Sequence, residues 1–350
     1  TGIPECRKLM AEIVDVDEKN VILGGVASLT LMYDYISQCM VFGCGGNEPW
    51  IKQGEIKFLC PCPGYDRHFG ILEHFGIKMI NIKMNDDGPD MDAIEEYIKD
   101  ESVKGLFCVP KYSNPDGITF SDEVVRRFAA LKPAAKDFRV IWDNAYIVHD
   151  LNDTPDKLLN IFDEAKKCGS EDMFIEVIST SKISFAGGGI SAVIASDANI
   201  AEIKKRMSIQ IISNDKINQL RHARYFKNLD GIKAHMKKQA AILKPKFDAV
   251  TDGFEKAFDG TGIASWRKPN GGYFISLFVM NGCAKRVGQL CKEAGLTLTT
   301  VGATYPYGID PDDSNIRIAP SYPDVDELKK AVELLCICVK LAAAEKLTEE

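Results

Sequence analysis

Ser179-Thr180-Ser181-Lys182-Ile183-Ser184-Phe185-Ala186-Gly187-Gly188-Gly189 closes a short β-type run at 174–179. A lysine held there, between small hydroxyl residues and a glycine run, suits a Schiff base with an aldehyde cofactor. An amine buried at a strand end loses hydration and its pKa falls, so it acts as a nucleophile near neutral pH.

Two further segments follow apolar strand-like runs and supply what a pyridoxal ring needs. In Val140-Ile141-Trp142-Asp143-Asn144-Ala145-Tyr146, the Asp143 carboxylate is suited to keeping a ring nitrogen protonated, which makes the ring an electron sink. Tyr146 can donate a hydrogen bond to the phenolic oxygen. In Leu106-Phe107-Cys108-Val109-Pro110-Lys111-Tyr112-Ser113-Asn114-Pro115-Asp116-Gly117, Asn114 offers an amide donor to the same oxygen.

With these residues in this order, the chain resembles the fold-type I pyridoxal-phosphate aminotransferases from about Gly2 to its last helical segment. Six features carry the resemblance: Gly24-Gly25-Val26-Ala27-Ser28, Tyr65, Asn114 to Gly117, Asp143 to Tyr146, Ser179 to Lys182, and Arg317 within Asn315-Ile316-Arg317-Ile318-Ala319-Pro320-Ser321. Thr180 to Phe185 and Asp215 to His222 look most like the divergent bacterial aspartate aminotransferase branch near the MocR-type regulators.

The resemblance implies an α/β fold, with a mainly parallel sheet sandwiched by helices and a smaller α+β C-terminal domain. It implies pyridoxal 5'-phosphate as cofactor, amino-acid and 2-oxo-acid substrates (aspartate or glutamate first), and a homodimer with shared active sites. Lys182 is then the attachment point and the general acid and base, while Asp143 and Tyr146 tune the ring. The expected cofactor contacts are Gly25, Val26, Ala27, Ser28, Tyr65, Asn114, Asp143, Tyr146, Ser179, Ser181 and Lys182. Arg317, with Asn114, is the expected substrate contact, since a guanidinium fork holds an α-carboxylate through two parallel hydrogen bonds. Tyr65 is expected to stack on the ring, and His68 to orient Asp143. Arg267, Lys268 and Arg221 are all open as partners for a second carboxylate.

The phosphate turn departs from the family. Gly24 and Gly25 precede a helical segment whose N–H groups and dipole can hold a dianion. Many relatives carry a hydroxyl or amide side chain where Val26 and Ala27 stand, and an arginine where Ile190 stands. Ser28, Ser179 and Ser181 can compensate, and a cation such as Lys216 or Arg221 can arrive from a second subunit.

Composition agrees with a two-lobed enzyme: 350 residues, 45% apolar and 27% charged, exceed what one core usually holds. We expect a large cofactor-binding domain at 1–235 and the small domain at 236–350. The net charge of −7 gives no electrostatic footprint for nucleic acid, and no apolar run has the length of a membrane span. Eleven cysteines without a short secreted framework suggest a reducing cytoplasm. Cys39, Cys44, Cys60 and Cys62 match no zinc spacing and read as core thiols; no metal is expected. The start lacks an initiator Met and a signal peptide, and an upstream segment of the family, with part of the small domain and a dimer arm, is expected before Thr1.

Strand-like runs at 21–23, 57–59, 78–82, 105–109, 139–142, 174–179 and 190–195 alternate with helical patterns such as 91–99 and 122–131. A long helical pattern at 217–258, interrupted near Pro245, should link the domains. A strand at 271–277 and a terminal helix at 325–346 belong to the smaller one.

Two rivals come from other classes. Ser179-Thr180-Ser181-Lys182 is literally Ser-x-x-Lys, the nucleophile motif of penicillin-binding proteins and serine β-lactamases, which requires the serine to open a helix and a later Lys-Thr-Gly that is not present. A MocR-type effector domain would use cofactor and amino acid as signals. A lyase or decarboxylase would share the same Lys, Asp and Asn.

Overall fold

The computed structural model describes residues 2–349. Eight strands form one sheet: β1 (Val21–Leu23), β2 (Lys57–Cys62), β3 (Lys78–Asn85), β4 (Gly88–Pro89), β5 (Val103–Cys108), β6 (Arg139–Asp143), β7 (Phe174–Ser179) and β8 (Ser191–Ala195). Their order across the sheet is β1-β8-β7-β6-β5-β2-β3-β4. The centre, from β7 through β6, β5 and β2 to β3, is parallel; β8 runs antiparallel to both β7 and β1, and β4 antiparallel to β3.

Strand side chains alternate between faces, and both faces are apolar, as a sheet covered on two sides requires. Val140, Trp142, Phe174 and Ile178 enter one core layer, Ile141, Ile175, Val177 and Val193 the other. Helices α1 (Pro4–Val14), α2 (Ser28–Phe42), α3 (Asp66–His74), α4 (Met91–Tyr97), α5 (Asp122–Ala130), α6 (Ile161–Cys168) and α7 (Asp197–Gln210) cover the sheet. The apolar residues of α1, α4, α5 and α6 pack into the first layer, those of α2, α3 and α7 into the second.

The linking helical pattern is broken differently from the sequence expectation. Helix α8 (Lys216–Phe226) ends at Lys227, whose φ is 68°, and α9 (Leu229–Phe258) restarts after Asn228, whose side chain accepts from the Gly231 N–H. Pro245 lies inside α9 without ending it. A proline ring costs a helix one hydrogen bond and some strain. Here Ile232 and Met236 pack on the large core on one side of it, and Phe247, Val250 and Phe254 on a separate core on the other, so both halves are held by packing. Residue 236, where the sequence reading divides the chain, lies inside this continuous helix.

The smaller α+β unit has a three-stranded antiparallel sheet of β9 (Ala264–Trp266), β10 (Ile275–Val279) and β11 (Asn315–Ile318), in the order β11-β10-β9, with α10 (Ala284–Glu293) and α11 (Val325–Glu349). Its middle strand begins at Ile275 rather than at 271. Gly271 is instead pressed against Tyr112: a Cβ there would lie 2.2 Å from the Tyr112 ring, so the close approach admits only glycine. Among the described residues, no helix is long and apolar enough to cross a membrane.

Candidate active site

Asp143 ends β6 and Ser179 ends β7, while Asn114 and Tyr65 follow β5 and β2, so their loops gather outside the carboxyl ends of the parallel strands. Open α/β sheets bind ligands at that edge. Because β1 and β7 are both antiparallel to β8, Gly24 and Gly25 leave the sheet at the same edge.

Lys182 sits in a tight loop between β7 and β8. Thr180 closes it: its N–H donates to the Ile190 carbonyl and its Oγ1 accepts from the Ile190 N–H, both at 2.8 Å. Gly189 allows this closure, since a Cβ would fall 2.5 Å from the Ser181 nitrogen. Ser179 therefore ends a strand rather than opening a helix, which removes the penicillin-binding reading of Ser-x-x-Lys.

The half-buried Lys182 donates from Nζ to Tyr146 Oη at 2.8 Å. Nζ lies 4.2 Å from the centroid of the Tyr146 ring and 6.0 Å from that of Tyr65. Desolvation holds the amine below its ordinary value; the Asp143 carboxylate opposes this and the Arg317 charge adds to it. Deprotonation frees the nitrogen lone pair, so capture of an aldehyde by the cofactor-free chain should speed up as pH rises and level off at a midpoint below 10.5, the ordinary lysine value. Stopped-flow mixing with pyridoxal phosphate across a pH series measures this. A midpoint at or above 10.5 would contradict the desolvated amine.

Asp143 is buried, its Oδ2 is 3.0 Å from His68 Nε2, and its Oδ1 is buried with no hydrogen-bond partner. His68 stacks on Phe107 at 4.5 Å, which fixes the imidazole that orients the carboxylate. A buried carboxylate oxygen without a donor is costly, and a protonated ring nitrogen is the donor it lacks. The residues therefore fit pyridoxal phosphate at this point.

The phosphate turn fits too. Ser191 donates from N and Oγ to the Gly25 carbonyl at 2.7 and 3.0 Å, and Ser179 Oγ donates to the Val26 carbonyl at 2.9 Å. The fifteen-residue α2 starts at Ser28 behind Ala27, with no side-chain cap and no acidic residue in its first turn. Its leading N–H groups are left for an anion. Ser181, whose Oγ is 2.9 Å from that of Ser179, adds a hydroxyl beside the turn. Ile190 is buried in the core, so no arginine side chain stands there. Arg221, on α8, is on this same chain beside the glycine run: it lies over the Phe185 ring at 5.5 Å and donates to Asn218, whose amide donates to the Gly188 and Gly189 carbonyls.

Arg317, on β11, brings the small domain into the site. Its Nη1 donates to Asp66 Oδ1 at 2.8 Å and to Asn114 Oδ1 at 3.2 Å, and its guanidinium carbon lies 5.0 Å from the Phe274 ring centroid. Arg267 and Lys268 are not brought together with it. Arg267 pairs with Asp86, and Lys268 with Asp248.

Several residues of the site were not singled out from sequence. Tyr273 Oη donates to the Lys182 carbonyl at 3.3 Å and His149 Nε2 lies 3.2 Å from the same oxygen, clamping the lysine backbone from two sides. Burial, with help from the Lys182 charge, pulls His149 down to about 3, so the ring is neutral. Behind Asp143, Asn144 donates to Glu176 Oε1 at 2.8 Å, and burial pushes Glu176 up to about 7. Only the spacing of His149 three residues after Tyr146 gave a local signal.

All of the chain, residues 1–350, matches the family described as aspartate amino-transferase. An aspartate aminotransferase of Corynebacterium glutamicum is 45% identical over 345 residues, covering 98% of this chain and 80% of that protein. A putative aminotransferase of Mycolicibacterium smegmatis is 43% identical over 348 residues, covering 99% and 81%. The crystal structure of an aspartate transaminase from Corynebacterium glutamicum superposes with a TM-score of 0.97 at 45% identity, covering 99% of this chain and 82% of that one.

Proposed function

Because the chain belongs to the aspartate aminotransferase family, we propose that its preferred amino donor is a dicarboxylic amino acid, aspartate ahead of glutamate. The chain is a pyridoxal-phosphate-dependent aminotransferase, moving an amino group between an amino acid and a 2-oxo acid. The observation that carries the residue assignment is the Lys182 amine, hydrogen-bonded to Tyr146 at the carboxyl edge of the sheet, with the unpartnered oxygen of Asp143 nearby in the same site. The preference for aspartate draws on the 45% identical relative that carries that name.

When bound, the cofactor supplies an electron sink for the charge left on the substrate Cα. Everything else falls to side chains. Arg317, assisted by Asn114, holds the α-carboxylate and so orients the Cα–H bond toward Lys182. Lys182 takes that proton as base, its lowered basicity keeping a usable fraction neutral. Tyr146 accepts from the amine and holds it in place. Asp143, braced by His68, would hold the ring nitrogen; Tyr65 would cover the ring face. Ser28, Ser181 and the N–H groups at Gly25 to Ser28 would hold the phosphate, on a turn that Ser179 braces by donating to the Val26 carbonyl.

We also propose a homodimer. Ile209, Ile211, Ile212 and Ile217 are exposed in and around the segment joining α7 to α8, as are Tyr225 on α8 and Phe185, whose ring lies under the Arg221 guanidinium of α8. So much apolar surface calls for a partner, and a second copy placed there would close the phosphate side of the site. A donor panel tests the assignment: kcat/KM for L-aspartate should exceed that for L-alanine by at least about 100-fold, the worth of one extra charged contact of 2–3 kcal/mol. Equal values would remove the dicarboxylate preference, and sedimentation of the same samples at the mass of one chain would remove the dimer.

A further inference from the structure

The guanidinium assigned above to the substrate carboxylate already holds a carboxylate of its own chain. Asp66 Oδ1 accepts from Arg317 Nη1 at 2.8 Å, across 251 residues of sequence, while Arg317 Nε is buried with no partner. Asp66 thus uses one arm of a fork built for two. An α-carboxylate taking the end-on fork of Nη1 and Nη2 needs the arm that Asp66 holds.

The two partners differ in freedom. The Arg317 side chain is 8% exposed and lies over Phe274, whereas that of Asp66 is 30% exposed. Asp66 also has somewhere to go. It opens the nine-residue α3 behind Tyr65, which provides no side-chain cap, and its Oδ2 is 3.9 Å from Nε of the exposed Arg67. A carboxylate turned toward that helix start is stabilised by the unsatisfied N–H groups and by Arg67. Arg317 and Asp66 also act with opposite sign on the proton of Tyr146, which puts both within electrostatic reach of the hydroxyl that Lys182 touches.

We propose that Asp66 is a resident counter-anion of the carboxylate fork, displaced toward the start of α3 each time a substrate carboxylate binds. The inference rests on the reading of Arg317 given above. Two carboxylates cannot share one arm without repulsion, so the binding-competent state is the one in which Asp66 has left, and apparent affinity is reduced by the fraction of time it stays. The penalty is the same for every α-carboxylate. Asp66 therefore sets the affinity scale of the site and leaves discrimination to the contacts of the substrate side chain.

Titration of the cofactor-loaded enzyme with maleate, a dicarboxylate that lacks an amino group and cannot react, tests this by calorimetry. Asp66→Asn, close in shape and uncharged, should bind maleate about tenfold more tightly, as expected if Asp66 occupies the fork about nine-tenths of the time. Asp66→Ala should move in the same direction, and in turnover with an amino acid the gain should fall on KM rather than kcat. Unchanged or weaker maleate binding in both variants would overturn the proposal, because a residue that merely positions Arg317 loses affinity when removed. Arg317→Ala should lose maleate binding by at least about 30-fold. If Arg317→Ala binds maleate like the native enzyme, the carboxylate reading itself fails; if it loses binding while the Asp66 variants do not gain, only the displacement fails.

Discussion

Lys182→Ala should lower aminotransferase turnover by at least about 10⁴-fold and remove the lysine-dependent visible absorption of the cofactor-loaded enzyme. Both effects follow from one nitrogen. Lys182 Nζ is the amine desolvated beside Tyr146 and Tyr65, and it is the base we propose for the Cα proton. The loss is not structural: the loop around Lys182 is closed by backbone and hydroxyl contacts of Thr180, Ser181 and Gly189, none of which involve its side chain. Thermal unfolding of the variant should therefore stay close to native. Single-turnover kinetics check the claim, and a variant retaining even a hundredth of native turnover would show that another base does the work.

Asp143→Asn should cost about 10²–10³ in kcat, the range for removing one preorganised electrostatic partner of a developing charge. The substitution keeps the shape of the side chain and its reach to His68, at 3.0 Å in the native chain, and removes only the charge. Without that charge a ring nitrogen beside it loses its reason to stay protonated, and the electron sink weakens. His68 sets how well the carboxylate is aimed, so a His68→Phe change should give a smaller loss than Asp143→Asn. If Asp143→Asn turned over within about threefold of native, the ring would lie elsewhere; that factor is under 1 kcal/mol.

The residues we propose for the reaction were legible because each is a local signal at a strand end. Lys182 follows a β run and precedes glycines, Asp143 and Tyr146 share one turn, and Asn114 stands beside a proline. Their common location follows from the parallel order of β2, β5, β6 and β7, which puts every one of these strand ends at the same edge. Local reading failed where tertiary contacts outweigh local preference. A proline at 245 suggests a helix break, but two cores grip the halves of α9, and the break comes at Lys227 and Asn228, where a positive φ and a side-chain cap reset the chain.

Charged partners were illegible for the same reason. Arg317 meets Asp66 across 251 residues, and Arg267 meets Asp86 across 181, so no window of sequence shows which arginine faces the site. The clamp on the Lys182 carbonyl joins Tyr273 and His149 from two different loops. Glu176 sits among apolar residues in β7, and only the folded chain shows that its partner is the amide next to Asp143.

The most direct test of the account is the visible absorption spectrum of the purified chain loaded with pyridoxal phosphate, recorded before and after addition of L-aspartate. The expected result is a pH-sensitive band that is absent from Lys182→Ala and that bleaches when aspartate donates its amino group. A band that ignores every amino acid would contradict it in favour of an effector domain, and the absence of any band in the native chain would remove Lys182 from the centre of the site.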